Sequence, residues 1–283
     1  MPELPEVQTT VNDLNRKIKG LSITGIWTDW PKYLKKGFAK EITGKKIIKI
    51  WRIGKNIIFD LSGGKIMLIH QKMTGHLLAG KWLIEKVNSY IHVVFFLSNG
   101  EKLALSDLRK FAKILAVDKK DFKNLEDIKN IGPDPSLPGF KFDEFKKLIN
   151  KKRGAIKKVL MAQNVISGIG NIYADEILFT AKIHPLARTE KLNAKKLKQI
   201  FNAIKKILKK AVKLRGTSTY DYRDTAGKPG HYGEARLVYQ RKGEKCPRLR
   251  QGFSGQANKC DGIIKRIKVD GRSAHFCPIC QKL

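Results

Sequence analysis

Apolar residues near the start of the chain recur at Leu4, Val7, Val11, Leu14 and Ile18, the i+3/i+4 spacing that lines one face of a helix. Pro2 and Pro5 sit where a helix start needs no amide hydrogen, Glu3 and Glu6 lie at its positive dipole end, and Gly20 suits a C-terminal cap. From Leu21 to about Asp118 the pattern becomes that of strands. KKIIKIWRI, KNIIFDL, KIMLIH, YIHVVFFL and KLALSD are rich in β-branched and aromatic residues, and turn signals stand at Ser62-Gly63-Gly64 and Asn99-Gly100. One helix and an antiparallel β-sandwich, residues 1–130, are expected.

The segment IGPDPSLPGF, residues 131–140, holds three prolines and two glycines and reads as an interdomain hinge. Helical spacing follows at about 142–151, 154–164, 171–182 and 193–214, then a polar stretch from Gly216 to Gly233 without periodicity. A loop of that length is functional or disordered. A helical domain over 141–240, carrying the loop 216–233, and a small hairpin over 241–283 complete an α+β fold.

Charge narrows the function. Lys+Arg 58 against Asp+Glu 25 gives +33, an excess that favours a polyanionic partner because neutralised phosphates release counterions. A solvated basic surface or an acidic membrane leaflet are the other readings, and no apolar run long enough for a span supports the second. All four cysteines, Cys246, Cys260, Cys277 and Cys280, fall near the end of the chain. With no export-type segment a reducing cytoplasm is expected, where metal ligation is favoured over disulfides.

Proline at position 2 allows Met1 to be removed, which leaves a secondary α-amine with a pKa near 8, against about 10.4 for lysine. Such an amine can attack C1′ of a deoxyribose, displace the base and form a Schiff base. Glu3 and Glu6, one helical turn apart, can move protons or orient the amine. Taken alone, prolines and glutamates in a first turn are ordinary capping features. The run Pro2-Glu3-Leu4-Pro5-Glu6-Val7, however, resembles the opening of the formamidopyrimidine-DNA glycosylase family, and the resemblance continues along nearly the whole chain.

That resemblance implies a fold and a set of roles. It implies a helix and β-sandwich, a helix–two-turn–helix domain and a zinc-finger hairpin. Lys55, in Arg52-Ile-Gly-Lys55-Asn56, becomes a catalytic lysine beside Pro2, Glu3 and Glu6. Met73, in His70-Gln71-Lys72-Met73-Thr74-Gly75, and Arg109 and Phe111, in Asp107-Leu108-Arg109-Lys110-Phe111, fill the void left by a flipped nucleotide and meet the orphaned base. Taken separately, Met73 and Phe111 read as core residues. Lys72 stands where the family's pattern leads one to expect glycine.

Lys157, Asn171, Tyr173, Arg272 and His92 are implied DNA contacts. Asn171 is positioned to cap the second helix of the 157–176 segment, behind Gly168 and Gly170. Thr217, Ser218 and Tyr222 belong to a loop that covers the extruded base. Cys260-x16-Cys277-x2-Cys280 fits a zinc hairpin, but thirteen residues, PRLRQGFSGQANK, separate Cys246 from Cys260. They read as an 11-residue insertion into a two-residue knuckle, which loop-closure entropy tolerates.

The expectation is therefore a bifunctional DNA glycosylase/AP lyase for oxidised purines. It acts on double-stranded DNA, carries one structural Zn2+ and no organic cofactor, and is a cytoplasmic, nucleoid-associated monomer of bacterial type. A related activity on oxidised pyrimidines and a non-catalytic zinc-ribbon nucleic-acid binder are the alternatives; the second leaves Pro2, Glu3 and Lys55 without a purpose.

Overall fold

The computed structural model describes residues 1–80, 89–218, 222–251 and 257–283. These form two compact units, Met1–Ile131 with Ala211–Gly233, and Gly132–Lys210 with Glu234–Leu283.

In the first unit, eight strands make two antiparallel four-stranded sheets. β1 (Ile23–Thr28), β6 (Ile91–Leu97), β7 (Lys102–Ser106) and β5 (His76–Gly80) pair in that order, as do β2 (Ile47–Ile53), β3 (Asn56–Leu61), β4 (Lys65–His70) and β8 (Lys113–Asp118). Helix α1 (Leu4–Lys17) packs on β2, β3 and β5. Its buried Val7, Val11, Leu14 and Ile18 join Ile57, Phe59, Met67 and Ile69 of one sheet and Leu77, Val93, Phe95 and Leu105 of the other. Each such side chain contributes roughly 1.5–3 kcal/mol by leaving water. Ile58, Ile66 and Leu68 point away from this core and are covered by Phe122, Leu125 and Ile128. The second sheet is thus buried on both faces, which is why β3 and β4 read as near-continuous apolar runs.

The second unit holds α4 (Phe142–Asn150), α5 (Ile156–Met161), α6 (Asn171–Ala181) and most of α7 (Ala194–Lys213), close to the helical spans expected from periodicity. Short helices α2 (Phe38–Ile42) and α3 (Glu126–Lys129) belong to the first unit. The hairpin of β11 (Lys265–Val269) and β12 (Arg272–Phe276) turns at Asp270-Gly271, both at positive φ. The insertion between Cys246 and Cys260 forms an antiparallel ribbon of β9 (Leu249–Gln251) and β10 (Ala257–Lys259), closed by Cys260 N–H donating to Arg248 O at 2.8 Å. Residues 252–256 of the insertion lie outside the described residues. No helix among the described residues is long and apolar enough to cross a membrane.

Two boundaries differ from those expected. Residues 216–233 belong with the sandwich and not with the helical domain. The proline-rich segment is more than a hinge: Gly132 N–H donates to Gln163 O, Ser167 N–H donates to Pro133 O, and Phe140 packs with Phe145 and Phe201. Long-range partners of this kind leave no periodic trace in a sequence.

Candidate active site

The first turn of α1 is closed by two carboxylates. Glu3, the N-cap, is extended (φ −105°, ψ −171°), and it exchanges side-chain-to-backbone hydrogen bonds with Glu6 in a capping box. Glu3 N–H donates to Glu6 Oε2 at 2.8 Å, and Thr217 N–H donates to Glu6 Oε1 at 2.6 Å. Glu3 and Glu6 are both buried, and Pro2 is buried behind an exposed Met1. Gly216 makes the loop contact possible: it sits at φ +80°, and a Cβ there would lie 2.6 Å from Glu6 Oε1. The Tyr222 hydroxyl donates to Glu6 O at 3.3 Å, and burial together with the charge of Glu6 raises its pKa, so it stays a neutral donor. Ser218 Oγ donates to Tyr222 O and accepts from Gly230 N–H, which closes the loop on itself. Residues 219–221 of that loop lie outside the described residues.

Lys55 occupies the two-residue turn between β2 and β3. Gly54 takes the positive φ (+58°) at the first central position, as a II′ turn requires. Arg52 ties the turn to α1 by donating to Gln8 Oε1 at 2.8 Å, and Asn56 Nδ2 donates to Asp127 O at 3.0 Å. Lys55 is held largely buried within this frame. On the neighbouring strand, burial and the charges of Lys72 and Lys55 hold the His70 imidazole down to about 4. Its neutral Nδ1 accepts from Lys72 N–H at 2.9 Å.

Met73 and Phe111 are 45% and 52% exposed, which decides against a core role for either. Arg109 joins them: its Nη1 lies 3.1 Å from Met73 Sδ, and its guanidinium sits 4.6 Å from the centre of the Phe111 ring. His92 Nδ1 pairs with Asp29 at 2.9 Å, while its buried Nε2 has no hydrogen-bond partner among the described residues.

In the second unit, α5 and α6 are joined by a turn braced from inside by Gln163. Its amide donates to Met161 O and Ile169 O and accepts from Gly168 N–H, all at 2.8 Å. Behind the turn, Lys157 donates to Asp175 Oδ1 at 2.6 Å and to Ser273 O, and His275 donates its N–H to Asp175 Oδ2 at 2.8 Å. Glu176 accepts the N–H groups of Leu237, Val238 and Tyr239 at 2.8–2.9 Å. Adjacent carboxylates on α6 thus fasten the C-terminal hairpin and the 237–239 turn.

The four cysteine sulfurs lie within 4.8 Å of one another. Cys246–Cys280, Cys260–Cys277 and Cys260–Cys280 are 3.9, 3.8 and 3.5 Å apart, close to the roughly 3.8 Å edge of a tetrahedron with zinc–sulfur bonds of about 2.3 Å. The insertion therefore leaves Cys246 in the cluster. Gly262 has no room for a side chain, since a Cβ would lie 2.4 Å from Cys277 Sγ.

Residues 1–114 match the family model of the formamidopyrimidine-DNA glycosylase N-terminal domain, residues 131–223 its H2TH domain, and residues 243–283 a zinc finger found in FPG and IleRS. The chain is 37% identical over 289 residues to the formamidopyrimidine-DNA glycosylase of Pelotomaculum thermopropionicum, covering 100% of both chains. It belongs to the formamidopyrimidine-DNA glycosylase family. Its fold is that of the family's solved members. The Lactococcus lactis Fpg in complex with an abasic site containing DNA matches with a TM-score of 0.86 at 33% identity, over 99% of this chain and 100% of that one. MutM in complex with carbocyclic 8-oxo-G containing DNA matches with a TM-score of 0.86 at 33% identity, over 100% of both chains. As a member of this family the chain is a DNA N-glycosylase with a zinc-finger domain.

The residues expected at DNA differ in exposure. Lys157 has no exposed side-chain surface, and its charge is spent on Asp175; Tyr173 is likewise fully buried. Asn171 is the first residue of α6 and Gly170 the N-cap, so Asn171 does not cap the helix; its buried Oδ1 has no hydrogen-bond partner among the described residues. Glu6 accepts a backbone amide at each of its carboxylate oxygens. Arg272 is exposed beside the tip of its hairpin. Sequence reasoning gave no role to Asp175, Glu176 or Gln71. The acidic pair inside an apolar helix was the available signal for the first two; Gln71 carried none.

Proposed function

We propose that this glycosylase is also an AP lyase, and that it removes oxidised purines such as 8-oxoguanine and formamidopyrimidines with the amine of Pro2 as nucleophile. Removal of Met1 uncovers that amine at the start of α1. There the helix dipole disfavours its protonated form, while the buried Glu3 carboxylate is at hand for the proton. The nitrogen lone pair bonds to C1′ as the bond from C1′ to the base breaks, and the base leaves with the electron pair and takes up a proton. Loss of the amine proton and opening of the C1′–O4′ bond, with a proton delivered to O4′, gives the Schiff base. Loss of a C2′ proton then expels the 3′ phosphate, and a second elimination the 5′ phosphate. Lys55, fixed in its turn, supplies positive charge beside these phosphates.

The observation that carries this reading is the first turn of α1, where Glu3 and Glu6 cap each other next to Pro2 and Glu6 holds the loop at Thr217. Met73, Arg109 and Phe111 form an exposed cluster suited to replacing an extruded base and meeting its partner. Asn171, Arg272 and His92 are proposed phosphate contacts. Thr217, Ser218 and Tyr222 are proposed to frame the flipped base. Cys246, Cys260, Cys277 and Cys280 would hold one zinc ion, which supplies structure and no step of the reaction. Relatives solved with DNA containing an abasic site, Fapy-dG or carbocyclic 8-oxo-G support this lesion class. The protein is proposed to act as a cytoplasmic, nucleoid-associated monomer, since one site handles one flipped base.

Borohydride reduction tests the chemistry. The enzyme should be trapped covalently on duplex DNA carrying 8-oxoguanine opposite cytosine, and acetylating the N-terminal amine should abolish trapping. Absence of a trapped species with an unblocked N-terminus overturns the Schiff base. Faster trapping on an oxidised pyrimidine overturns the purine assignment.

A further inference from the structure

Asp107 is fully buried, and no lysine, arginine or histidine pairs with it among the described residues. Hydrogen-bond donors from three parts of the chain compensate for its charge. The Tyr33 hydroxyl donates to Oδ2 at 2.9 Å, Ala112 N–H donates to Oδ2 at 2.7 Å, and the Thr74 hydroxyl donates to Oδ1 at 2.5 Å. Thr74 Oγ1 in turn accepts Arg109 N–H at 3.1 Å. One carboxylate therefore joins the turn that carries Met73 to the turn that carries Arg109 and Phe111.

Both turns are strained at matching places. Lys72, immediately before Met73, has φ +52°, and Lys110, immediately before Phe111, has φ +54°. A non-glycine residue keeps such a conformation only where its surroundings over-determine it. The surroundings here are the contacts of Asp107, of which the Lys110 N–H bond to Asp107 O (3.1 Å) is one, and the bond from Lys72 N–H to His70. Burial and the Asp107 carboxylate also raise the pKa of Tyr33, so the phenol keeps its proton and stays a donor.

We propose that Asp107, acting through the Thr74 hydroxyl, is a positioning residue that presets Met73, Arg109 and Phe111 as one wedge before DNA is engaged. The inference rests on the void-filling role given above to those three side chains. A buried polar network of this kind rigidifies when every member is satisfied. A preset wedge spares the cost of ordering three mobile side chains when DNA binds.

Thr74→Val removes the hydroxyl at nearly constant volume, and Thr74→Ser restores it. Single-turnover excision of 8-oxoguanine opposite cytosine is expected to fall about tenfold in Thr74→Val, with the preference for cytosine over adenine reduced alongside. Thr74→Ser should recover most of both. A double-mutant cycle with Arg109→Ala supplies the decisive readout, because residues acting as one unit are not additive: Thr74→Val should cost little more in the Arg109→Ala background. Tm, measured on each variant, separates loss of fold from loss of position.

Additive losses in the cycle, or failure of Thr74→Ser to recover the rate at an unchanged Tm, overturn the inference while leaving the wedge intact. An Arg109→Ala enzyme that keeps its opposite-base preference overturns the wedge itself, and the inference with it.

Discussion

The amide of Thr217 donates 2.6 Å to Oε1 of Glu6, across more than two hundred residues of sequence. Glu6 Oε2 accepts the amide of Glu3. The loop that begins at Gly216 is therefore suspended from the same carboxylate that closes the helix turn behind Pro2.

Gly216→Ala should disturb both at once. Its Cβ would enter the space of Glu6, at a φ that disfavours any side chain. A loss of about 1–3 kcal/mol in unfolding free energy is expected, with a drop of tenfold or more in Schiff-base trapping. Normal trapping at full stability would remove Glu6 and the loop from the catalytic arrangement.

Lys157 and Arg272 should separate cleanly. Lys157→Ala strands a buried carboxylate beside His275 and should destabilise the chain by about 3–5 kcal/mol. Any folded fraction should bind DNA with an unchanged salt slope. Arg272→Ala, at an exposed hairpin position, should keep its Tm and reduce the magnitude of the slope of log K against log salt by about 0.9 if one phosphate contact is lost. The checks are thermal unfolding and a salt titration of binding to undamaged duplex.

Gln71 is 1% exposed, and among the described residues neither Nε2 nor Oε1 of its amide has a hydrogen-bond partner. An unsatisfied buried amide costs about 1–3 kcal/mol. Gln71→Leu, which keeps the volume and removes both polar atoms, should raise stability by about 1–2 kcal/mol. A fall in denaturant midpoint would show that the amide is satisfied in solution.

His70 gives a pH signature. Its folded-state pKa of about 4 lies below the ordinary histidine value, so between about 4 and 6.5 the unfolded chain binds more protons than the folded one. The stability it contributes is present above about pH 6.5 and is lost as pH falls toward 4, by a few kcal/mol at most. Protonation at Nδ1 would also break the bond from Lys72 N–H. His70→Asn, which keeps an acceptor, should flatten the pH dependence of Tm in that window.

Much of this architecture was legible in the chain. The 3.6-residue spacing of Leu4 to Ile18 and of residues 194–213 gave helices α1 and α7 within about a residue or two. The glycines at 63, 64 and 100 marked the turns they occupy, all at positive φ. Strands β1, β5 and β8 were not singled out; they pair with strands other than their neighbours in sequence, and their burial follows from that pairing as much as from their own residues.

The sequence by itself determined most of the elements, the basic charge, the cysteine set and the family, because periodicity, composition and motif spacing are local properties. Only tertiary structure decided that Met73 and Phe111 face solvent while Lys157 and Tyr173 are buried, since one-dimensional spacing cannot tell an exposed apolar group from a core one. It also decided that Glu6 accepts amides from two distant parts of the chain and that Asp107 joins two turns. A carboxylate's role depends on which donors long-range folding brings within about 3 Å of it, and those donors come from positions 33, 74, 112 and 217.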